Sequence, residues 1–281
     1  MTLTSRDVRD LLARHEVRPS RARGQNFVTD PNTVRRVARL AGVGPGDQVV
    51  EVGAGLGSLT LALAETGASV TAIEVDRRLL VAVREVVAST DVRVVEGDAM
   101  NLDWAALLGP GEWDLVANLP YNIATPLVAD LLDHVPAIRR MTVMVQREVA
   151  DRLAAGAGDP GYGAVSVKVA YWAQAEIVAR VPPTVFWPVP NVESAVVSIR
   201  RRPPDTLVDV DRTWMFTLVG TAFGQRRKML RRSLDGLVTD GDFGLADVRP
   251  QSRPEELDLA AWARLAGCTR PPSPGSERPP S

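Results

Sequence analysis

The stretch VVEVGAGLGSLT, residues 49–60, restricts the fold more than any other part of the chain. A β-branched run passes straight into Gly53, Gly55 and Gly57, and helical spacing begins directly after them. Glycine is required where the backbone must turn sharply or approach a ligand closely, and a strand feeding a helix through such a turn opens a parallel βαβ unit. The alternation continues through SVTAIEV, RRLLVAVREVVA, VRVVEG, WDLVAN, TPLVADLLDHV and RMTVMVQ. Val-rich runs that are apolar on both faces suit strands covered by helices on each side. The expected class is therefore α/β, a doubly wound parallel sheet.

The flanking segments extend this plan. RDVRDLLARH is amphipathic, and RPSRARGQNF after it has the Pro, Ser, Gly and Arg content of an exposed basic loop. In TDPNTVRRVARLAGV, Asp30 suits an N-cap, Pro31 the first helical position and Gly42 the stop. After Gly161 the rhythm changes. EIVARV and SAVVSIRRR read as two extended segments, antiparallel at the sheet edge, around the proline-rich PPTVFWPVPNV. Beyond RRPPD the pattern is helical only, in RTWMFTLVGTAF, RRKMLRRSLDGL and RPEELDLAAWARLAG. The expected domains are an N-terminal segment and basic loop over 1–30, an α/β domain over 31–202, a helical domain over 203–268 and a disordered tail over 269–281.

A formal charge of -1 and a pI near 6.2 argue against a field of positive charge over the whole molecule, so any nucleic-acid contact must come from local clusters. Two are evident: Arg18, Arg21 and Arg23, and then Arg226, Arg227, Lys228, Arg231 and Arg232 in FGQRRKMLRRSL, where Met229, Leu230 and Leu234 are expected to face inward. The single cysteine, Cys268, excludes an intramolecular disulfide, and with only His15 and His134 beside it no Cys/His metal site is expected. The sequence has neither an apolar run of membrane-spanning length nor a signal-peptide apolar region near its start, so the expected location is the cytoplasm.

Ligand-binding candidates fall at the ends of successive strands. The turn at Gly53 can cradle a ligand, Glu74 ends the next strand where an acid can accept ribose hydroxyls, and Asp98 in VVEGDAM can accept from an adenine amino group. These features suit NAD and S-adenosylmethionine alike. A further stretch, DLVANLPYNIATP, separates them. Asn118 offers a side-chain carbonyl, Leu119 and Pro120 offer backbone carbonyls on a stiffened turn, and Tyr121 offers a flat face. An exocyclic purine amine needs acceptors for its N–H groups and a surface on which the extruded base can stack. Hydride transfer has no evident use for such a set.

RGQNFVTD, EVGAGLGSLT, EVD, EGDAM, NLPYNIATP, PPTVFWPVPNVESAVVSI and AFGQRRKMLRRSL together resemble the rRNA adenine N6-dimethyltransferases, most closely the small-subunit type, and the resemblance runs to about Ala266. It implies a Rossmann-like class I methyltransferase domain followed by a small helical domain. The implied cofactor is S-adenosyl-L-methionine, and the implied substrate is a pair of adjacent adenosines near the 3′ end of 16S rRNA, modified during small-subunit maturation. Gly53 would then hold the methionine moiety, Glu74 the ribose and Asp98 the adenine. Asn26 and Val28 would close over the cofactor, and Asn118 would serve both cofactor and target. Tyr121 would stack on the target adenine, with Phe186 on the opposite face; on its residues alone Phe186 reads as a core aromatic beside Trp187. No metal or membrane partner is expected, and the protein is expected to be a monomer. The competing readings are the 23S rRNA type associated with macrolide resistance, a largely non-catalytic RNA-binding assembly or transcription factor and, distantly, an NAD dehydrogenase.

Overall fold

The computed structural model describes residues 2–20, 24–120, 122–269 and 271. Arg21, Arg23, Tyr121 and nearly all of the tail expected to be disordered lie outside the described residues.

The chain opens with α1 (Ser5–Arg14), which is closed at its start by reciprocal Thr4–Asp7 hydrogen bonds and buries Val8, Leu11 and Leu12. The two-residue β1 (Phe27–Val28) leads to α2 (Pro31–Ala41). There the Asp30 carboxylate accepts the Asn32 and Thr33 N–H groups, and Gly42 ends the helix at φ +65°. The alternating core follows as β2 (Gln48–Val52), α3 (Ser58–Ala64), β3 (Ser69–Glu74), α4 (Arg77–Val86), β4 (Arg93–Glu96), α5 (Trp104–Leu108), β5 (Trp113–Asn118), α6 (Ala124–His134), β6 (Ile138–Gln146) and α7 (Arg147–Ala154). Next come α8 (Ala164–Trp172), β7 (Ala173–Val181), β8 (Phe186–Trp187) and β9 (Ser194–Arg201). The helical remainder is α9 (Arg212–Gly224), α10 (Leu230–Ser233), α11 (Asp240–Leu245) and α12 (Leu259–Cys268).

Seven strands form one sheet in the order β4-β3-β2-β5-β6-β9-β7. The first five are parallel, while β9 runs antiparallel to both β6 and β7, giving the antiparallel edge that the proline-rich segment predicts. From β2 the chain winds outward to β3 and β4, then returns to β5 on the other side of β2. This reversal is the topological switch point, where an open α/β sheet leaves a crevice at the carboxyl ends of its strands. It brings residues 53 and 118, far apart in sequence, to neighbouring strand ends. No helix among the described residues is long and apolar enough to cross a membrane.

Two compact units are present: Met1–Ala154 with Ala173–Arg201, and Ala155–Trp172 with Arg202–Ser281. The helical unit resumes at Arg202, beside the expected break near Pro203; what differs is that residues 155–172, expected in the α/β domain, belong with the helical unit. The Tyr162 hydroxyl donates to Leu257 O at 2.8 Å, and Tyr171 meets Phe216 edge to face. The sequence of α8, AVSVKVAYW, is apolar nearly all round, so periodicity gives no sign of the face it uses. The continuous helix expected over RRKMLRRSLDGL is also absent. Residues 225–228 turn, Met229 is extended and exposed, and α10 lasts four residues. Tertiary hydrogen bonds cause the break, because Leu230 N–H donates to Ser252 O and Arg231 N–H to Pro250 O. Leu230 and Leu234 are buried as expected; Met229 is not.

Candidate active site

A cavity of about 460 Å³ opens at the switch point, walled by the turn after β2, the ends of β3 and β4, the turn after β5 and residues 24–28. Gly53 sits at φ +75°, and a Cβ there would lie 3.4 Å from the Pro120 ring. The glycine turn and the Asn118–Leu119–Pro120 turn thus approach so closely that a side chain would be strained by φ and crowded by the neighbour. Gly55, at φ +58°, packs against Phe27, whose ring would stand 3.2 Å from an added Cβ.

Glu74 is buried and holds this turn in place. Its Oε1 accepts the N–H groups of Val75 and Asp76 at 3.0 and 2.9 Å, and its Oε2 accepts that of Gly55 at 2.8 Å. Both lone pairs of Oε1 are occupied, so Oε2 alone has one left for a ribose hydroxyl. Burial raises the carboxyl's pKa, although the backbone donors oppose the shift.

At the end of β5, Leu119 anchors the turn through a buried side chain and an N–H bond to Met144 O at 3.0 Å. Asn118 Nδ2 donates to Asn26 O at 3.2 Å, which leaves the amide oxygen as the atom able to accept from a substrate amine. The backbone acceptors differ. Pro120 O already accepts the Ile123 and Ala124 N–H groups at 3.2 Å each, at the start of α6, whereas among the described residues no donor meets Leu119 O. Of the two carbonyls named from sequence, Leu119 O is thus the one left without a donor among the described residues. Val28 also lines the cavity, tied to the start of α3 by Ser58 Oγ donating to Val28 O at 3.1 Å.

Asp98 lines the cavity and is exposed, while also serving its own turn through bonds from Met100 N–H and Asn101 Nδ2 at 3.0 and 2.8 Å. Phe186 is not brought to the site. It pairs with Val28 across the β1–β8 ribbon and is 2% exposed within the core that includes Val34, Val37 and Val196. The role of capping a purine is corrected for this conformation, because apolar burial of the ring outweighs what an open cavity offers it.

Glu51 was missed from sequence. It lines the cavity at 1% exposure, with Thr60 Oγ1 donating to its Oε2 at 2.6 Å, and burial pushes its carboxyl up to about 8, with Glu74 adding to the rise. The signal was available: an acid inside VVEV, on a strand covered on both faces, has no solvent to reach. The described residues lining the cavity include Glu51, Glu74, Asp76 and Asp98 but no Lys, Arg or His. Such a wall offers no counter-charge to a dinucleotide pyrophosphate, and its carboxyls suit a ligand with cationic sulfonium and ammonium groups. The donor set therefore fits S-adenosylmethionine and disfavours NAD.

In the helical unit, Arg226, Arg227, Lys228, Arg231 and Arg232 are exposed. Arg226 is partly engaged, donating to Pro160 O at 3.3 Å and lying 3.8 Å from the Glu255 carboxylate.

Comparison with known proteins gives the family. Ribosomal RNA small subunit methyltransferase A of Kineococcus radiotolerans is 48% identical over 94% of the chain and 90% of its own length, and that of Thermobifida fusca is 48% identical over 94% and 95%. Among solved structures, a dimethyladenosine transferase from Plasmodium falciparum superposes with a TM-score of 0.72 at 22% identity, covering 85% of this chain and 95% of that one. The 23S rRNA methyltransferase ErmE superposes with a TM-score of 0.67 at 26% identity, covering 86% and 99%. The family model for ribosomal RNA adenine dimethylase matches residues 18–266, and the chain belongs to that family.

Proposed function

We propose that this protein transfers methyl groups from S-adenosyl-L-methionine to the N6 atoms of two adjacent adenosines near the 3′ end of 16S rRNA, during small-subunit maturation. The observation that carries this reading is one cavity in which a glycine turn and buried carboxyls meet the Asn118 amide and the Leu119 carbonyl. Relatives named for the small subunit are 48% identical and ErmE 26%, which favours the small-subunit reading over the 23S one.

The bound cofactor supplies an electrophilic methyl group. The protein's own part is to hold the amine. Asn118 Oδ1 and Leu119 O accept its two N–H groups, which draws the nitrogen lone pair out of conjugation with the purine ring. Holding the reactants together supplies most of the acceleration, and the methylated nitrogen is acidic enough to lose its proton to water without a strong base. Tyr121, directly after this turn in sequence, is assigned the stacking face for the base.

Glu74→Ala removes a cofactor contact and the brace of Gly55 together, so cofactor affinity falls about tenfold or more, in line with loss of charge-assisted hydrogen bonds; unchanged affinity by calorimetry refutes the role. In the helical unit, Arg227, Lys228, Arg231 and Arg232 are assigned to RNA phosphates. Replacing any two with Gln weakens RNA binding and lowers the slope of log K against log salt by about 0.7–0.9 for each lost contact. An unchanged slope makes them a solvated surface only.

The decisive assay offers small subunits lacking the modification and, in parallel, unmodified 23S rRNA, and locates new methyl groups by mass spectrometry. Dimethyladenosine near the 3′ end of 16S rRNA is the expected result. Label in 23S rRNA, or binding without transfer, overturns it in favour of the respective alternative.

A further inference from the structure

A second concavity of about 800 Å³ lies in the same α/β unit, between α1, the segment after it, the start of α4 and Trp187. Its walls carry Arg9, Arg18, Arg78 and Trp187, with Glu16 as the acidic member. Trp187 is 46% exposed, whereas Trp104, Trp113, Trp172, Trp214 and Trp262 are each at most 8% exposed. An indole left this open forgoes burial that every other tryptophan here obtains.

The three arginines are exposed, and among the described residues none of them forms an ion pair. Two are held by backbone: Arg9 Nε donates to Ser5 O at 3.2 Å, and Arg78 Nη1 to Glu16 O at 3.0 Å. The ribbon fixes where this surface lies. Trp187 pairs directly with Phe27, and Phe27 lines the cofactor cavity.

We propose that this groove holds single-stranded RNA adjoining the target adenosine, with an unpaired base stacked on Trp187 and phosphates on Arg9, Arg18 and Arg78. An exposed aromatic face beside unpaired guanidinium groups is the chemistry of single-strand recognition. An acidic peptide would use the cations but has no need of the indole. In a chain with net charge -1, local positive charge at this place is what an RNA strand requires. The inference rests on the proposed function, because the strand it names is the substrate's.

The test uses the full-length protein and a labelled single-stranded oligoadenylate of about six nucleotides. Because Trp187 is the exposed indole, saturable quenching of tryptophan fluorescence reports on this groove. Read from the anisotropy of the oligonucleotide's label, since these variants lack the reporting indole, Trp187→Ala weakens the oligonucleotide about tenfold or more, while Trp187→Tyr restores most of the affinity. Arg9→Gln and Arg18→Gln each lower the salt slope by about 0.7. Cofactor affinity, measured by calorimetry on the same preparations, stays at the wild-type value and shows that the variants fold. Absence of saturable quenching, an unchanged salt slope, or equal quenching by polyglutamate overturns the proposal. If wild-type protein methylates small subunits without that quenching, the groove assignment falls and the function stands. Quenching by the oligonucleotide without methyl transfer leaves the groove supported and removes the function.

Discussion

Asn118→Ala lowers kcat for methyl transfer by about a hundredfold or more, with a much smaller change in cofactor affinity. The substitution removes the acceptor that meets charge developing on the attacking amine, and a preorganised partner of that kind is worth about 10²–10³ in rate. The fold should tolerate the change. Leu119 remains anchored by its buried side chain and its bond to Met144, and Pro120 O still starts α6. What is lost structurally is the bond from Asn118 Nδ2 to Asn26 O, which ties the turn to the segment over the cavity. Single-turnover methylation alongside calorimetric titration separates these contributions. Wild-type turnover removes Asn118 from the mechanism, whereas loss of cofactor binding equal to the loss of rate makes it a clamp.

Glu51→Gln flattens the pH dependence of stability. The wild-type carboxyl is pushed up to about 8 from 4.5, chiefly by burial, so between these values the native state keeps a proton that the unfolded chain has released. Wild-type stability therefore falls as pH rises through that window and levels off above 8. With each pKa unit equivalent to about 1.4 kcal/mol, the contribution is on the order of 4–5 kcal/mol. The Gln variant loses this dependence, matches wild type near pH 4.5 and exceeds it at pH 8 in denaturant titrations. Parallel curves for the two proteins show that Glu51 does not titrate as described. A buried acid kept at this cost is explained if the cofactor supplies the missing positive charge, so the same variant should bind S-adenosylmethionine more weakly.

Much of this could be seen in residue order. The strand–glycine–helix stretch at 49–60, the alternation after it and the Asp30–Gly42 helix depend on neighbouring residues, and local patterns reveal local causes. The antiparallel edge was also legible, because proline in PPTVFWPVPNV is excluded from a central parallel strand. Three features were not. The α8 segment is apolar all round and has no stripe to identify its partner. The basic run at 226–232 would extend as a helix on local spacing, but its backbone bonds to residues 250 and 252. Phe186 could face a ligand or a core on the same evidence, and only the surrounding valines decide.

By itself the sequence determined the class of fold, the cradle at the end of β2 and the acceptor-rich turn at the end of β5, because each follows from backbone chemistry within a few residues. The tertiary structure alone decided that these meet at one switch point, that among the described residues Pro120 O and not Leu119 O already has its donors, and that Glu51 is buried in a wall whose described residues carry no cation. Proximity, solvent exclusion and competition for hydrogen bonds belong to pairs of residues far apart in the chain, and they come into being only when it closes.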